Sequence, residues 1–217
     1  MGLTDVNIHA SMYVMRRTAE EAAQTREDIL AAALREFSQY GYHAANLGRI
    51  AKAAGVTRGA VYHHFENKAE LYQALLESAN LAGGSVLAEA VAAGGGDALT
   101  ICEQILVRWF ALVEENQQVR DILRLWMFQS NQAPDLAAVE ARLLDQSQAN
   151  LAAIAQYMQF GIDQGSLRAD LDPLVAARAF SAFQNGVIQQ WLLLADTFSL
   201  KQDGPALARA FLWGFRP

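Results

Sequence analysis

Cysteine is almost missing from this 217-residue chain: Cys102 stands alone. A lone thiol excludes an internal disulfide framework and fits a reducing, cytoplasmic compartment. It reads as a small buried hydrophobe before it reads as a redox sensor. No apolar stretch approaches the about 18–20 residues needed to cross a bilayer, and Val187–Ala195 is a buried helix segment at most. The N-terminus lacks the charged-then-apolar layout of a secretory leader. There are four prolines, and no segment shows strand alternation, so the fold class is all-α with a bundle-like body. No nucleophile–base–acid set, paired metal-ligand spacing or phosphate loop is present; Gly94-Gly95-Gly96 is not followed by Lys-Ser/Thr. The expectation is a non-enzymatic protein with no cofactor and no metal.

The chain does have apolar mass and a divided charge. Hydrophobic residues make up 53% of it, enough for a sizeable core in one domain or two small ones. The net charge is −6, but Arg16–Gln73 holds eight Lys/Arg against seven Asp/Glu, leaving nine against sixteen elsewhere. A slightly basic head on an acidic body suits a nucleic-acid binder, which the overall charge conceals.

The most informative segment is Asn46–Phe65, NLGRIAKAAGVTRGAVYHHF. Asn46 is a strong N-cap before Leu47, Ile50, Ala51 and Ala54 at helical spacing. Gly55 allows a tight turn, Val56 plugs the corner, and Thr57 caps a second helix in which Val61 and Phe65 point inward. The outer face of that helix is Arg58, Gly59, Ala60, Tyr62, His63 and His64. This is a helix-turn-helix, whose second helix enters the major groove of double-stranded DNA. Arg58 is the base reader, able to donate two hydrogen bonds to guanine. Gly59 and Ala60 permit close approach, and Ala60 can also meet a thymine methyl. Thr57, Tyr62 and Lys68 suit phosphates, and Arg49 suits either groove or backbone. Adjacent His63 and His64 point about 100° apart on a helix, a poor geometry for one metal.

Thr25–Leu76, TREDILAAALREFSQYGYHAANLGRIAKAAGVTRGAVYHHFENKAELYQALL, resembles the N-terminal domain of the tetracycline-repressor (TetR) family. Ser38–Lys68 is most similar to its AcrR-like repressors of multidrug efflux operons. The resemblance covers about a quarter of the chain. It implies that Thr57, Arg58, Gly59, Tyr62, His63, His64 and Lys68 lie at the DNA interface. With Asn46, Arg49 and Ala60 these form the expected DNA-binding set. The resemblance also implies a body that binds a small molecule and forms a homodimer.

Along the chain, residues 1–18 read as a flexible tail, with Met12 and Met15 as alternative starts. Arg16-Arg17 either touch phosphates or are solvated. Residues 19–68 form the DNA-binding domain and 69–217 the ligand-binding and dimerisation domain. Ile29, Leu30, Ala33, Leu34 and Phe37 mark a first helix stopped by Gly41. Asn67 and Glu70 open a long helix to about Ala92 with a weak point at Gly83-Gly84. Gly94–Gly96 is a flexible break, and Asp97 starts a helix to Glu114 or Glu115. Further helices are expected over Val119–Ser130, Asp135–Gly165, Asp172–Ala195 and from near Pro205 to Phe215.

In the body, bulky residues gather on the middle helices. Trp109, Trp126, Tyr157 and Phe183 are either core or the wall of a ligand cavity. Gln129, Asn150, Gln156, Gln184 and Asn185 are candidate polar anchors. Few charges sit there (Glu103, Arg108, Glu114 and Arg124), which favours a small lipophilic ligand, neutral, aromatic or cationic. Reading a palindromic operator requires two heads, with half-sites about 34 Å apart or a multiple. Phe180, Val187, Trp191, Phe211 and Trp213 on the last two helices are the expected dimer interface. The function expected is a ligand-released repressor of an efflux or related operon. The alternative is a helix-turn-helix protein controlled by a protein partner, without a pocket.

Overall fold

The computed structural model describes the backbone of residues 4–92, 96–128, 133–194 and 197–217, and within these the side chains from residue 19 onward. Gly94, Gly95, Gln129, Ser130 and Ala195, and the side chains of Arg16 and Arg17, lie outside the described residues. Nine α-helices and no strand occur among the described residues. They are α1 (Thr4–Ala44), α2 (Leu47–Ala53), α3 (Arg58–His64), α4 (Lys68–Ala92), α5 (Ala98–Glu115), α6 (Gln117–Phe128), α7 (Ala137–Asp163), α8 (Pro173–Leu193) and α9 (Leu200–Leu212). Two compact units result, Met1–Leu75 and Leu76–Pro217, with the division inside α4.

Most helix starts follow from local capping. Asn46 accepts from the amides of Gly48 and Arg49, Thr57 from Ala60, Asp97 from Thr100, and Asp172 from Leu174 and Val175. Asn67 accepts from the Glu70 amide at 2.9 Å, while the Glu70 carboxylate reaches back to the Glu66 amide at 2.6 Å, a capping box displaced by one residue. α4 is helical through Gly83 and Gly84.

Two expectations change. The backbone is helical from Thr4, so residues 4–18 of the segment read as a flexible tail belong to α1. Gly41 (φ 72°, ψ 167°) breaks this helix three residues before its end. The last long helix begins at Leu200, not near Pro205. Ser199 caps it by accepting from the Gln202 amide, and the Asp203 carboxylate takes the Ser199 amide. Glu114 on α5 adds bonds from Ser199 Oγ and the Lys201 amide.

In the N-terminal unit, Ile29, Leu30, Ala33 and Phe37 of α1 are buried, as are Ile50, Val61, Leu71 and Leu75. One carboxylate joins this apolar face: Glu36 is 8% exposed, and its Oε1 accepts from the Asn46 amide (2.9 Å) and Arg49 Nε (2.7 Å). Burial pushes the Glu36 carboxyl up, but the bonds from Arg49 and Asn46 outweigh it and hold the group below its ordinary 4.5. In the C-terminal unit, Cys102, Leu106, Phe110 and Val113 of α5 form the core centre, and Phe183 and Phe211 stack nearly parallel at 4.2 Å. Burial first, and Asp97 second, push the Cys102 thiol up to about 12, a thiol without nucleophilic character near neutrality.

Because the Glu36 pKa is lowered on folding, its charge contributes stability that is fully present above 4.5 and is lost as pH falls through the depressed value. Glu36→Gln is therefore expected to destabilise the chain by about 1–3 kcal/mol at neutral pH. The gap to wild type should narrow as pH falls below 4.5. Urea melts across that range check this; a gap independent of pH would remove the carboxylate charge from the account.

Candidate nucleic-acid interface and body cavity

The turn between α2 and α3 is built on Gly55, whose φ of 70° strains any residue with a Cβ. Its amide donates to Lys52 O (3.2 Å) and that of Val56 to Ala51 O (3.0 Å), closing α2 before Thr57 opens α3. Val61 and Phe65 are buried, and Arg26 lies over the Phe65 ring at 5.2 Å. Arg58, Gly59, Tyr62 and His63 are exposed, whereas Ala60 and His64 are half-buried. Arg58 Nη2 donates to Tyr62 Oη at 3.2 Å and its guanidinium lies 5.6 Å from the Tyr62 ring. This i, i+4 pair holds the Arg58 fork on the outer face of α3. The rings of His63 and His64 are 5.5 Å apart and meet edge to face at 73°.

Four other members of the expected set have partners inside the head, Thr57 through its cap on the Ala60 amide. The Asn46 side chain is occupied by the α2 cap. Arg49 Nη2 donates to Ala44 O at 2.7 Å, pairs with Glu36 and covers the Tyr40 ring at 4.6 Å; Glu36 is the main cause of its raised pKa. Lys68 Nζ donates to Tyr42 O (2.7 Å) and His43 O (3.2 Å) and sits 4.4 Å from the Tyr42 ring centroid. Glu36 was not legible as part of this set, although a carboxylate between Ala33 and Phe37 on an apolar face is a signal that it needs a partner.

The body contains a cavity of about 450 Å³ formed wholly within the C-terminal unit by α4 to α8. Trp109, Trp126 and Gln184 line it, as do Asn150 and Asn185. Tyr157 and Phe183 do not: Phe183 stacks on Phe211 and meets Phe110 edge-on, while Tyr157 packs beside Phe160. Aromatic packing inside the subunit claims both rings. Gln156 is likewise absent from the wall. Asn80, Gln146, Ser147, Arg178 and Ser181 line it without having been singled out; on α8 they share a three- and four-residue rhythm with Gln184. Of the body charges, Arg108 pairs with Glu89, Arg124 with Asp121 and Glu103 with Arg209, while Glu114 caps α9.

Four of the five residues expected between subunits lie in the subunit's own core. Phe180 and Val187 are buried, Phe211 is in the aromatic stack, and Trp191 is 4% exposed with Nε1 donating to Phe198 O at 3.1 Å. Only Trp213, 70% exposed, faces out. No helix of the described residues is long and apolar enough to cross a membrane.

Comparison with known proteins agrees with this two-part organisation. Residues 29–75 match bacterial regulatory proteins of the tetR family, and residues 97–216 match the C-terminal region of MAATS-type transcriptional repressors. The HTH-type transcriptional regulator AcrR of Shigella flexneri is 33% identical over 193 residues, which cover 87% of each chain. NalD, the secondary repressor of the MexAB-OprM multidrug efflux pump in Pseudomonas aeruginosa, superposes with a TM-score of 0.78 at 27% identity, covering 91% of this chain and 98% of that one. SmeT, the repressor of the Stenotrophomonas maltophilia pump SmeDEF, is similar in its complex with triclosan (TM-score 0.74, 26% identity, 89% and 92% covered).

Lys68 satisfies two carbonyls at the end of α1, so Lys68→Ala is expected to lower stability by about 1–2 kcal/mol. Lys68→Arg should recover part of it. Thermal melts of the full chain check this, and a Lys68→Ala variant melting with wild type would show that these bonds contribute nothing.

Proposed function

We propose that this chain, which belongs to the tetR family of bacterial regulatory proteins, is a repressor of an efflux operon. As a dimer it holds a palindromic operator, and it releases that operator when a small lipophilic ligand enters the body cavity. The observation that carries this reading is the coexistence, in separate units, of an outward-facing Arg58 on α3 and a cavity of about 450 Å³. The efflux repressors NalD and SmeT, the latter bound to triclosan, support the operon and ligand class. The cavity also favours a small-molecule signal over control by a protein partner.

On DNA, Arg58 reads guanine while Gly59 and Ala60 allow close approach. Thr57, Tyr62, His63 and His64 meet the sugar–phosphate backbone, where contacts position without specifying. Arg49 and Lys68 contribute positive charge next to it while bracing the head from within. Asn46 acts through its cap, setting where α2 begins. In the cavity, Trp109, Trp126 and Gln184 contact the ligand, and Tyr157 and Phe183 support its wall from the core.

Dimerisation uses the outward faces of α8 and α9 and the turn that follows α9, where Val175, Ala182, Leu193, Ala206, Ala210 and Trp213 are exposed. Small residues there permit close approach of a second copy through a self-complementary patch. Ligand release follows from linkage: a ligand that binds the free protein more tightly lowers operator affinity by the same factor by which operator lowers ligand affinity.

Footprinting and titration of operator and random DNA at one salt concentration test the head. Arg58→Ala is expected to remove about 1–3 kcal/mol of discrimination per contacted base while leaving circular dichroism unchanged. Unaltered discrimination would take Arg58 out of its role. For the dimer, Trp213→Glu is expected to give monomers in sedimentation and to weaken operator binding by orders of magnitude. A variant that remains dimeric would move the interface elsewhere. Trp191→Glu is not an equivalent test, because that indole is core.

A further inference from the structure

The wall of the body cavity carries one formal charge, and it is positive. Arg178 lines the cavity, and no Asp or Glu does so among the described residues. Arg178, Ser181, Gln184 and Ile188 follow three- and four-residue steps, so one face of α8 presents a guanidinium, then polar groups, to the cavity. Arg178 has no ion pair or side-chain hydrogen bond among the described residues.

Trp109 lines the same wall with its ring. Trp109 is 7% exposed, and its Nε1–H has no acceptor in the protein. An indole nitrogen can only donate, and a guanidinium can only donate. The Trp109 nitrogen is closed off from the cavity, whereas the exposed Arg178 guanidinium, met by solvent, is free to take an acceptor from a ligand. The remaining wall is apolar where Leu76, Ala79, Ile122 and Leu123 contribute to it. A volume of about 450 Å³ accommodates two or three rings.

A cation in this cavity would meet a like charge and no carboxylate, whereas an anion would gain an unpaired guanidinium. We infer that the ligand of the cavity is an apolar aromatic monoanion, of the phenolate, carboxylate or sulfonate class, and not a lipophilic cation. This rests on the cavity being the ligand site proposed above. It replaces the neutral-or-cationic expectation drawn from the scarcity of charges in the sequence. Arg178 is also exposed to solvent, so the anionic group keeps part of its hydration while the rings take the apolar wall.

Three probes test this on the full chain: 8-anilinonaphthalene-1-sulfonate, its uncharged parent N-phenyl-1-naphthylamine, and the cation ethidium. The sulfonate is expected to bind about twofold to fivefold more tightly than the parent, the range of one solvent-exposed charged contact. Arg178→Gln should reduce the sulfonate to the parent's affinity without changing the parent, and Arg178→Lys should restore part of the difference. Ser181→Trp or Asn150→Trp, which fill the cavity, should exclude both naphthalenes. Retained operator binding shows that each variant is folded. Equal affinity of sulfonate and parent, indifference of the sulfonate to Arg178→Gln, or ethidium binding more tightly than either overturns the anion assignment. If the parent still binds and the filling variants exclude it, the cavity reading survives that failure. If no probe binds, or neither filling variant excludes one, both fall together.

Discussion

The head is organised around one buried carboxylate. Glu36 projects from the apolar face of α1 and takes both the first amide before α2 and the Arg49 side chain within it. A charge in that position is tolerable only while its partners hold it. The start and the rotation of α2 are consequently fixed relative to α1. Lys68 holds the carbonyls of Tyr42 and His43 just beyond the Gly41 break. The segment leading into α2 is thus tied at both of its ends, and α3, turned through Gly55, inherits its orientation from α2.

Much of this could be read from sequence because capping is local. Asn46, Thr57, Asp97 and Asp172 each bond amides two or three residues away, so the signal and its partner lie in one window. Ser199 also caps locally, yet Pro205 five residues into α9 masked the start of that helix. Part of the reinforcement comes from Glu114, 85 residues distant for Ser199. Arg49 was legible as a surface cation but not as the partner of Glu36, thirteen residues earlier.

The body was legible in kind more than in position. A helix rich in aromatic residues announces burial without saying whether its faces meet the same subunit, a ligand or another copy. Phe183 and Phe211 show the difficulty: each suits a cavity wall or an interface, and their parallel stack settles them inside the subunit. Trp191 likewise finds its polar partner in the carbonyl of Phe198 across a short loop. Arg178 was overlooked because a single arginine in an otherwise small and apolar stretch of α8 has no distinctive spacing.

The amides around the cavity have a bearing on how many different molecules it can hold. Turning a carboxamide by half a turn exchanges its oxygen for its NH2 group. Asn150, Gln184 and Asn185 can therefore offer either polarity to an incoming molecule with no movement of the backbone. Arg178 has no such freedom, because a guanidinium never becomes an acceptor. A wall built this way is strict about the sign of charge and lenient about the arrangement of hydroxyls and carbonyls around the rings. Breadth of recognition then arises from side-chain rotation alone, and the discrimination that remains is electrostatic.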